Sequence, residues 1–235
     1  MSAAKASQQP HRVLVVDDDP DIVELLQYNL EKEGYDVRTA ADGRKALEAA
    51  RGFLPELVLL DIMMPQMDGI ETGRQLREIP ELRQTYILYL TARSEEYSEV
   101  AAFEIGADDY LTKPIKPRAL MSRINALFRR EAQKADPGEQ VEVADLKISR
   151  KNYTVTQGDK SVVLPKKEFE LLFFLAQSPN KVFSREELLQ KIWGADIYVL
   201  ERTVDVHIRK LREKIGETYI KTLKGVGYMF TDQPD

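Results

Sequence analysis

The 235-residue chain contains no cysteine and only two histidines, His11 and His207. Without cysteine it forms no disulfide, carries no thiolate metal site and has no cysteine nucleophile. Two histidines that lie far apart in the sequence also argue against a metal site built from imidazoles. Disulfide-stabilised, thiol-dependent and histidine-rich metal proteins are therefore set aside.

Long apolar runs are also missing. The longest runs, such as residues 57–60 and 171–176, are far shorter than the roughly 20 residues that a membrane-spanning helix needs. The first ten residues are polar and lack the apolar core of a signal peptide. We therefore expect a cytoplasmic protein with no membrane partner, in which residues 1–11 form a flexible tail.

An excess of one charge sign is confined to the first part of the chain. Residues 1–136 hold 24 acidic and 18 basic residues, whereas residues 137–235 hold 15 acidic and 16 basic residues. Residues 201–224 alone contain seven basic and four acidic residues. The acidic part is unsuited to nucleic acid, and the basic stretch suits it, although an ordinary solvated helix can have the same charge.

The chain length and a polar segment around Pro137-Gly138 indicate two domains. In residues 12–131, short apolar strands alternate with amphipathic helices, one of them over residues 96–105. This alternation predicts five parallel strands covered by helices on both faces, a doubly wound α/β fold. After a linker at 132–140, residues 141–235 show four strands, three helices and a hairpin, the order of an α+β winged helix-turn-helix.

Polar side chains follow the carboxyl ends of four strands of the predicted parallel sheet. Asp17 and Asp18 follow the first strand, Asp61 the third, Thr91 the fourth and Lys113 the fifth. Ligands of open parallel sheets bind at this edge, so we expect these side chains to meet. Clustered carboxylates suit Mg²⁺, and such a cluster beside a lysine suits phosphoryl transfer to a carboxylate. Singly, each residue has an ordinary structural explanation, such as an acidic helix start.

Four segments of the first domain carry a family resemblance, namely residues 13–19, 57–69 (LVLLDIMMPQMDG), 90–92 and 106–114 (GADDYLTKP). They resemble the receiver domain of two-component response regulators, a fold of the CheY-like, flavodoxin-like type. The resemblance implies that a sensor histidine kinase phosphorylates Asp61, giving a 4-aspartylphosphate.

The resemblance also implies the metal ligands. Mg²⁺ would be bound directly by Asp18 and Asp61, by Asp17 through water, and by the backbone carbonyl of Met63. A related class, the haloacid dehalogenase-like phosphatases, has a second carboxylate two residues after its nucleophile, which is the position of Met63 here. We therefore expect a regulator that assists only its own phosphorylation and dephosphorylation, and not a hydrolase.

The residues of the switch follow from the same resemblance. Thr91 and Lys113 would contact the phosphoryl group, and Tyr110 would rotate inward behind Thr91. Without this context, Tyr110 is an ordinary half-buried strand aromatic. The Lys113-Pro114 bond is expected to be cis, a form that proline makes accessible.

The family's symmetric dimer surface is also represented. Asp109 and Arg123 match one of its salt-bridge pairs, which implies a homodimer when the chain is phosphorylated. Glu99 and Ala119 stand where a second pair usually has lysine and glutamate, so that bridge is expected to be absent. Ile115 replaces the usual phenylalanine after the Lys-Pro pair. Because of these two differences from the family pattern, the resemblance does not fix how strong the dimer is.

A basic helix predicted over residues 201–215 is the candidate DNA-reading element. Its core stripe lies opposite a face that carries Arg202, Val206 and Arg209, and a valine exposed between arginines suits a major groove. Residues 201–211 (ERTVDVHIRKL) and 222–230 (TLKGVGYMF) resemble the OmpR/PhoB-type effector domain, over about residues 141–232.

By this analogy the second domain binds promoter DNA to regulate transcription, and residues 194–200 form a loop offered to RNA polymerase. Lys224 stands where arginine is common, which weakens any bidentate contact. A second domain that docks only a partner protein is the alternative. The candidate DNA contacts are Trp193, Arg202, Thr203, Val206, His207, Arg209, Lys210, Arg212, Thr222, Lys224 and Tyr228.

Overall fold

The computed structural model describes residues 9–92, 108–133, 140–194 and 202–234. Up to residue 133, strands and helices alternate along the chain. The elements are β1 (Arg12–Val16), α1 (Pro20–Lys32), β2 (Asp36–Ala40), α2 (Gly43–Phe53), β3 (Leu57–Asp61), α3 (Gly69–Glu78), β4 (Tyr86–Ala92), β5 (Asp109–Lys113) and α4 (Pro117–Gln133). The strands form one parallel sheet in the order β2-β1-β3-β4-β5. The predicted parallel α/β domain is confirmed, and the helix expected over residues 96–105 lies outside the described residues.

Three aspartates determine where the first three helices begin. The side chains of Asp19, Asp42 and Asp68 each accept a hydrogen bond from a backbone N–H two or three residues later. Such a cap satisfies an N–H group that the first helical turn leaves without a partner, and contributes about 1 kcal/mol. The caps therefore anchor the loops at the carboxyl edge of the sheet.

The parallel sheet is covered on both faces. Every residue of β3 is buried. Val58 and Leu60 belong to a core cluster with buried residues of α2 and α3, whereas Leu57 and Leu59 belong to a second cluster with α1 and α4. Alternate residues of one strand thus bury apolar surface on opposite faces, which explains why the strand reads as a continuous apolar run.

From residue 140 onward the chain forms a second domain. Its elements are β6 (Gln140–Val143), β7 (Leu146–Ser149), β8 (Thr154–Gln157), β9 (Lys160–Val163), α5 (Lys166–Ala176), β10 (Val182–Ser184), α6 (Arg185–Ile192), α7 (Arg202–Ile215), β11 (Ile220–Leu223) and β12 (Gly227–Phe230). Strands β6 to β9 form an antiparallel sheet in chain order, and a second antiparallel sheet has the order β10-β12-β11. The winged helix-turn-helix prediction is confirmed.

One strand was not predicted. β10 pairs with β12, and Ser184 both ends this strand and caps α6. A Cβ atom on Gly227 would lie 1.9 Å from the carbonyl oxygen of Phe183, so only glycine permits this pairing. β10 therefore joins the hairpin of β11 and β12 to the helices.

The segment between the domains is shorter in the structure than the predicted linker. α4 continues to Gln133 and β6 begins at Gln140, so the ends of the predicted linker are helical and extended. No helix within the described residues is long and apolar enough to cross a membrane.

Candidate functional site

Three of the predicted pocket residues meet at the carboxyl edge of the parallel sheet. The Lys113 ammonium lies 2.8 Å from Oδ2 of Asp17 and 3.1 Å from Oδ1 of Asp61. These side chains come from the ends of β1, β3 and β5, so the parallel sheet brings together residues that are distant in sequence. Thr91 is buried at the end of β4, and the register of β3 with β4 places Asp61 beside the residue before it.

The electrostatics of this pocket are dominated by burial. Burial raises the pKa of Asp61 above its ordinary value; the hydrogen bond from Lys113 offsets part of this rise, and the charge of Asp17 adds to it. Burial alone lowers the pKa of Lys113, but its hydrogen bonds to Asp17 and Asp61 outweigh burial and raise that pKa. The lysine is therefore cationic at neutral pH, beside more than one carboxylate.

The acidic residues of the pocket form a cluster suited to a metal ion. Asp17, Asp18 and Asp61 each offer a carboxylate oxygen, and these oxygens lie within 4.8 Å of one another. Carboxylate oxygens are hard ligands of the kind that Mg²⁺ prefers, and one ammonium does not balance three carboxylates. The residues present thus fit the predicted ion. The side chain of Met63 is exposed, and only its backbone carbonyl was predicted as a ligand.

The backbone around the pocket depends on a close approach at Gly69. A Cβ atom on Gly69 would lie 2.0 Å from the carbonyl oxygen of Asp61, and the Gly69 N–H donates to the carbonyl of Ile62. α3 therefore begins directly against the end of β3. The Lys113-Pro114 bond is cis, as the resemblance implied.

The candidate switch aromatic, Tyr110, lies between two groups of side chains. Its ring stacks on Tyr89 with 6.1 Å between centroids, and Tyr89 is buried with its hydroxyl against Gly73. Tyr110 also packs against the core of the second domain. The structure thus links the strand that ends in Lys113 to the neighbouring domain.

The predicted dimer residues contact each other within one chain. Asp109 is buried, 3.6 Å from the guanidinium of Arg123. Burial raises the pKa of Asp109 to about 6, an effect that Arg123 partly offsets. Ala119 is exposed on α4, and Glu99 lies outside the described residues.

The candidate DNA contacts fall into two groups by exposure. Six of them are exposed or half-buried, namely Arg202, Arg209, Lys210, Arg212, Thr222 and Lys224. Five are buried, namely Trp193, Thr203, Val206, His207 and Tyr228. The expectation of a solvent-facing Val206 is wrong for this structure, because Val206 is buried although it lies outside the core stripe of α7.

One ion pair and one hydrogen bond that the sequence did not indicate hold α7 in place. The carboxylate of Asp205 accepts hydrogen bonds from Arg185 at 2.7 Å and from the hydroxyl of Tyr228 at 2.6 Å. They tie α7 to α6 and to the hairpin. No signal in the sequence distinguishes Asp205 from Glu213, the second acidic residue of α7.

Buried His207 is a further feature of α7. Its ring meets Trp193 edge to face at 4.9 Å between centroids, and its Nδ1 lies 2.9 Å from the Thr203 carbonyl oxygen. Burial lowers the pKa of His207 to about 4, so the ring is neutral at neutral pH. In this conformation the imidazole brings no positive charge to a phosphate.

Two known protein families match the sequence. The family described as a response regulator receiver domain matches residues 13–125. The family described as the C-terminal part of a transcriptional regulatory protein matches residues 159–230. The two matches fall on the two domains of the structure.

Individual proteins match over nearly the whole chain. The alkaline phosphatase synthesis transcriptional regulatory protein PhoP of Bacillus subtilis (strain 168) is 44% identical over 230 residues, covering 92% of this chain and 95% of PhoP. The transcriptional regulatory protein SrrA of Staphylococcus aureus is 40% identical over 232 residues, covering 94% and 95%. A solved structure of a RitR mutant aligns with a TM-score of 0.74 at 28% identity, covering 94% of this chain and 99% of that chain.

Proposed function

The chain belongs to the OmpR/PhoB-type family of two-component response regulators, and from that premise we propose that Asp61 accepts a phosphoryl group from a sensor histidine kinase. The observation that supports this most strongly is the contact of Lys113 with both Asp17 and Asp61 at the edge of the sheet. As a member of this family the chain is a DNA-binding transcriptional regulator. We place its action in the cytoplasm, where kinase and promoter are both reachable.

The proposed reaction is a transfer between two side chains. A carboxylate oxygen of Asp61 attacks the phosphorus of the kinase phosphohistidine, the P–N bond breaks, and the imidazole leaves with the bonding electron pair. Lys113 and the hydroxyl of Thr91 stabilise the charge on the phosphoryl oxygens. Asp17, Asp18, Asp61 and the Met63 carbonyl would hold Mg²⁺, which when bound supplies neutralising charge for those oxygens.

Labelling with a small phosphodonor tests the phosphoacceptor. The intact mass of the chain should increase by one phosphoryl group with acetyl phosphate and Mg²⁺, and Asp61→Asn should abolish the increase. The matched control is Asp36→Asn, an exposed aspartate at the start of β2 that should label like the wild type. Full labelling of Asp61→Asn would show that another residue is the acceptor.

A hydrolase is disfavoured by one residue. Turnover of an aspartyl phosphate by the alternative class needs an acid two residues after the nucleophile, and Met63 cannot move a proton. The relatives named above are transcriptional regulators.

The second domain is proposed to read promoter DNA with α7 and the hairpin of β11 and β12. Lys224 and Thr222 are exposed on the hairpin, and Arg202 and Arg209 are exposed on α7. Cationic side chains at these positions suit phosphates, and the methyl groups of Val206 suit a thymine once that side chain is accessible. We further propose a phosphorylation-dependent dimer through the face that contains Asp109 and Arg123, and contact of residues 194–200 with RNA polymerase.

The salt dependence of DNA binding tests the assigned contacts. Lys224→Ala should weaken binding on all sequences and lower the slope of log affinity against log salt by about 1, the amount expected for one phosphate contact. The control is Lys151→Ala, an exposed lysine outside α7 and the hairpin. If the two variants had equal slopes of log affinity against log salt, Lys224 would not contact a DNA phosphate.

A further inference from the structure

Four side chains meet where the hairpin of β11 and β12 lies against α7. The carboxylate of Asp205 accepts hydrogen bonds from the Arg185 guanidinium at 2.7 Å and from the Tyr228 hydroxyl at 2.6 Å. The guanidinium carbons of Arg185 and Arg212 lie 4.9 and 5.9 Å from the centroid of the Tyr228 ring. Cations at such distances from an aromatic ring are attracted to it. We call this group, formed by Arg185, Asp205, Arg212 and Tyr228, the junction cluster.

Arg212 joins the last turns of α7 to β11. Its Nε and Nη2 atoms donate to the carbonyl oxygen of Ile220 at 3.1 and 2.5 Å, and Nη2 also donates to the hydroxyl of Thr222 at 2.8 Å. Tyr228 belongs to β12, so its hydrogen bond to Asp205 connects α7 to the other strand of the hairpin. The reading helix is therefore attached to both strands.

These contacts involve two residues that were candidate DNA contacts, Tyr228 and Arg212. Tyr228 is 4% exposed. Burial and the hydrogen bond to Asp205 raise the pKa of Tyr228 to about 12, so the hydroxyl keeps its proton and acts as the donor. The hydroxyl of Tyr228 and the Nε and Nη2 atoms of Arg212 are thus used within the domain.

Asp205 occupies an unfavourable position for a carboxylate in a DNA-reading helix. Residues three or four positions apart lie on the same side of a helix, so Asp205 lies beside Arg202 and Arg209, which are both exposed. The side chain of Asp205 is itself 39% exposed. A negative charge there repels DNA phosphates, and the ion pair with Arg185 reduces this repulsion. Attraction to DNA therefore does not explain an aspartate at this position.

We propose that the junction cluster positions the hairpin of β11 and β12 against α7, so that the two elements meet duplex DNA as one preformed surface. The inference rests on the DNA-reading function proposed above for both elements. Ordering mobile groups during binding lowers affinity, and fixing them beforehand removes that cost. The junction cluster thus consists of positioning residues, and Arg202, Arg209 and Lys224 are contacts that it positions.

Spin labels measure the positioning directly and without DNA. The chain has no cysteine, so Glu213→Cys on α7 and Val226→Cys at the exposed tip of the hairpin introduce the only two labelling sites. Pulsed electron paramagnetic resonance on the full-length chain should give one narrow distance distribution. Tyr228→Phe keeps the ring and removes only the hydroxyl, and it should broaden this distribution. Glu186→Ala, at an exposed residue next to Arg185, is the control and should leave the distribution unchanged.

The affinity of the full-length chain for a duplex of mixed sequence tests the consequence for DNA binding. Asp205→Ala should weaken binding by about two- to tenfold, the cost of ordering one further side chain during binding. A role limited to charge predicts the opposite, because removing a carboxylate beside DNA strengthens binding. The matched control is Glu213→Ala, which removes the same charge from an exposed position of α7 and should not weaken binding.

Two further variants separate positioning from direct contact with DNA. Asp205→Ala and Tyr228→Phe remove the same hydrogen bond, so the double variant should bind like the weaker of the two single variants. If Tyr228 contacted a phosphate directly, the two effects would be independent. Arg212→Ala should weaken binding while the slope of log affinity against log salt stays at the wild-type value, in contrast to Lys224→Ala.

Three results would overturn the positioning inference. They are an unchanged distance distribution in Tyr228→Phe, an Asp205→Ala chain that binds duplex DNA as tightly as the wild type, and independent effects in the double variant. If the wild-type chain bound no duplex DNA, the DNA-reading function would be wrong, and the inference with it. The wild-type affinity therefore distinguishes a failure of the proposed function from a failure of the positioning inference alone.

Discussion

Lys113 is the cation that allows the buried carboxylates of Asp17 and Asp61 to share one pocket. Its side chain is 19% exposed, and those of the two aspartates are 0% and 4% exposed. Two buried negative charges without a counter-charge would repel each other in a region of low dielectric. The lysine therefore stabilises the unphosphorylated pocket, and the same charge is in position to stabilise the oxygens of an incoming phosphoryl group.

Replacing this lysine should impair phosphorylation strongly. Lys113→Ala removes a charge aimed at the phosphoryl oxygens, and the loss of one such preorganised group typically costs about 100-fold in rate. The measurement is the rate of mass increase with acetyl phosphate and Mg²⁺. Lys116→Ala, an exposed lysine three residues later, is the control. A Lys113→Ala chain that labels at the wild-type rate would exclude this function for Lys113.

Asp109 should make the receiver less stable as the pH rises. Burial raises its pKa in the folded chain to about 6, from an ordinary value of 3.8. The folded chain therefore binds this proton more tightly than the unfolded chain, and stability falls as pH rises from about 4 to about 6. The loss is at most about 3 kcal/mol, at 1.36 kcal/mol for each pKa unit.

Urea unfolding at several pH values measures this effect. The wild type minus Asp109→Asn difference in free energy of unfolding should decline between pH 4 and pH 6 and be constant above it. All other titrating groups are common to both chains and cancel in the difference. Asp36→Asn, at an exposed aspartate, should show no such trend. A difference that rises with pH would contradict a raised pKa.

At the scale of the elements, the junction of β3 with α3 depends on Gly69. A Cβ atom there would overlap the Asp61 carbonyl oxygen at 2.0 Å, whereas a Cβ atom on Gly52 in α2 would meet nothing within 4 Å. Gly69→Ala should therefore lower the free energy of unfolding by more than about 2 kcal/mol and slow phosphorylation. Gly52→Ala should raise the free energy of unfolding by about 0.5–1 kcal/mol.

Thermal unfolding of both glycine variants checks this pair of opposite effects. The contrast uses the same chemical change in one domain, so the local geometry alone distinguishes the variants. If both alanine variants shifted the melting temperature in the same direction, the requirement for Gly69 would not come from the close packing at the end of β3.

The elements that could be predicted are those with a local signal. Asp19 and Pro20 indicate the start of α1, and the apolar run of β3 predicts a buried strand. β10 could not be predicted, because it has three residues and exists through pairing with β12, some 45 residues later in the chain. The burial of Val206 could not be predicted either, because Val206 lies outside the periodic stripe by which α7 packs into the core of its domain.

The candidate site was predictable to a similar depth. Parallel strands place their carboxyl ends at one edge, so the meeting of Asp17, Asp61 and Lys113 follows from motif order. The contact of Asp205 with Arg185 and Tyr228 does not follow from sequence, because its partners come from separate elements of a tertiary fold. Spacing reveals pockets built at strand ends more readily than contacts between packed elements.

At the scale of the whole molecule, β4 and β5 connect the proposed phosphorylation pocket to the domain that carries α7. Each of these strands ends at the pocket and begins beside the second domain. A phosphoryl group adds charge and acceptor oxygens at one end, and this can shift a two-state contact at the other end. A coupling of this kind typically changes affinity by about 5- to 150-fold.

The affinity of the full-length chain for its promoter DNA, measured with and without acetyl phosphate and Mg²⁺, tests the central claim most directly. Wild-type affinity should rise at least about fivefold on phosphorylation. Asp61→Asn should not respond, and Asp36→Asn should respond like the wild type. If the phosphodonor does not change the affinity of the wild type, phosphorylation does not control DNA binding. If it raises the affinity of Asp61→Asn by as much as that of the wild type, Asp61 is not the residue through which it acts. Either result would contradict control of DNA binding by phosphorylation of Asp61.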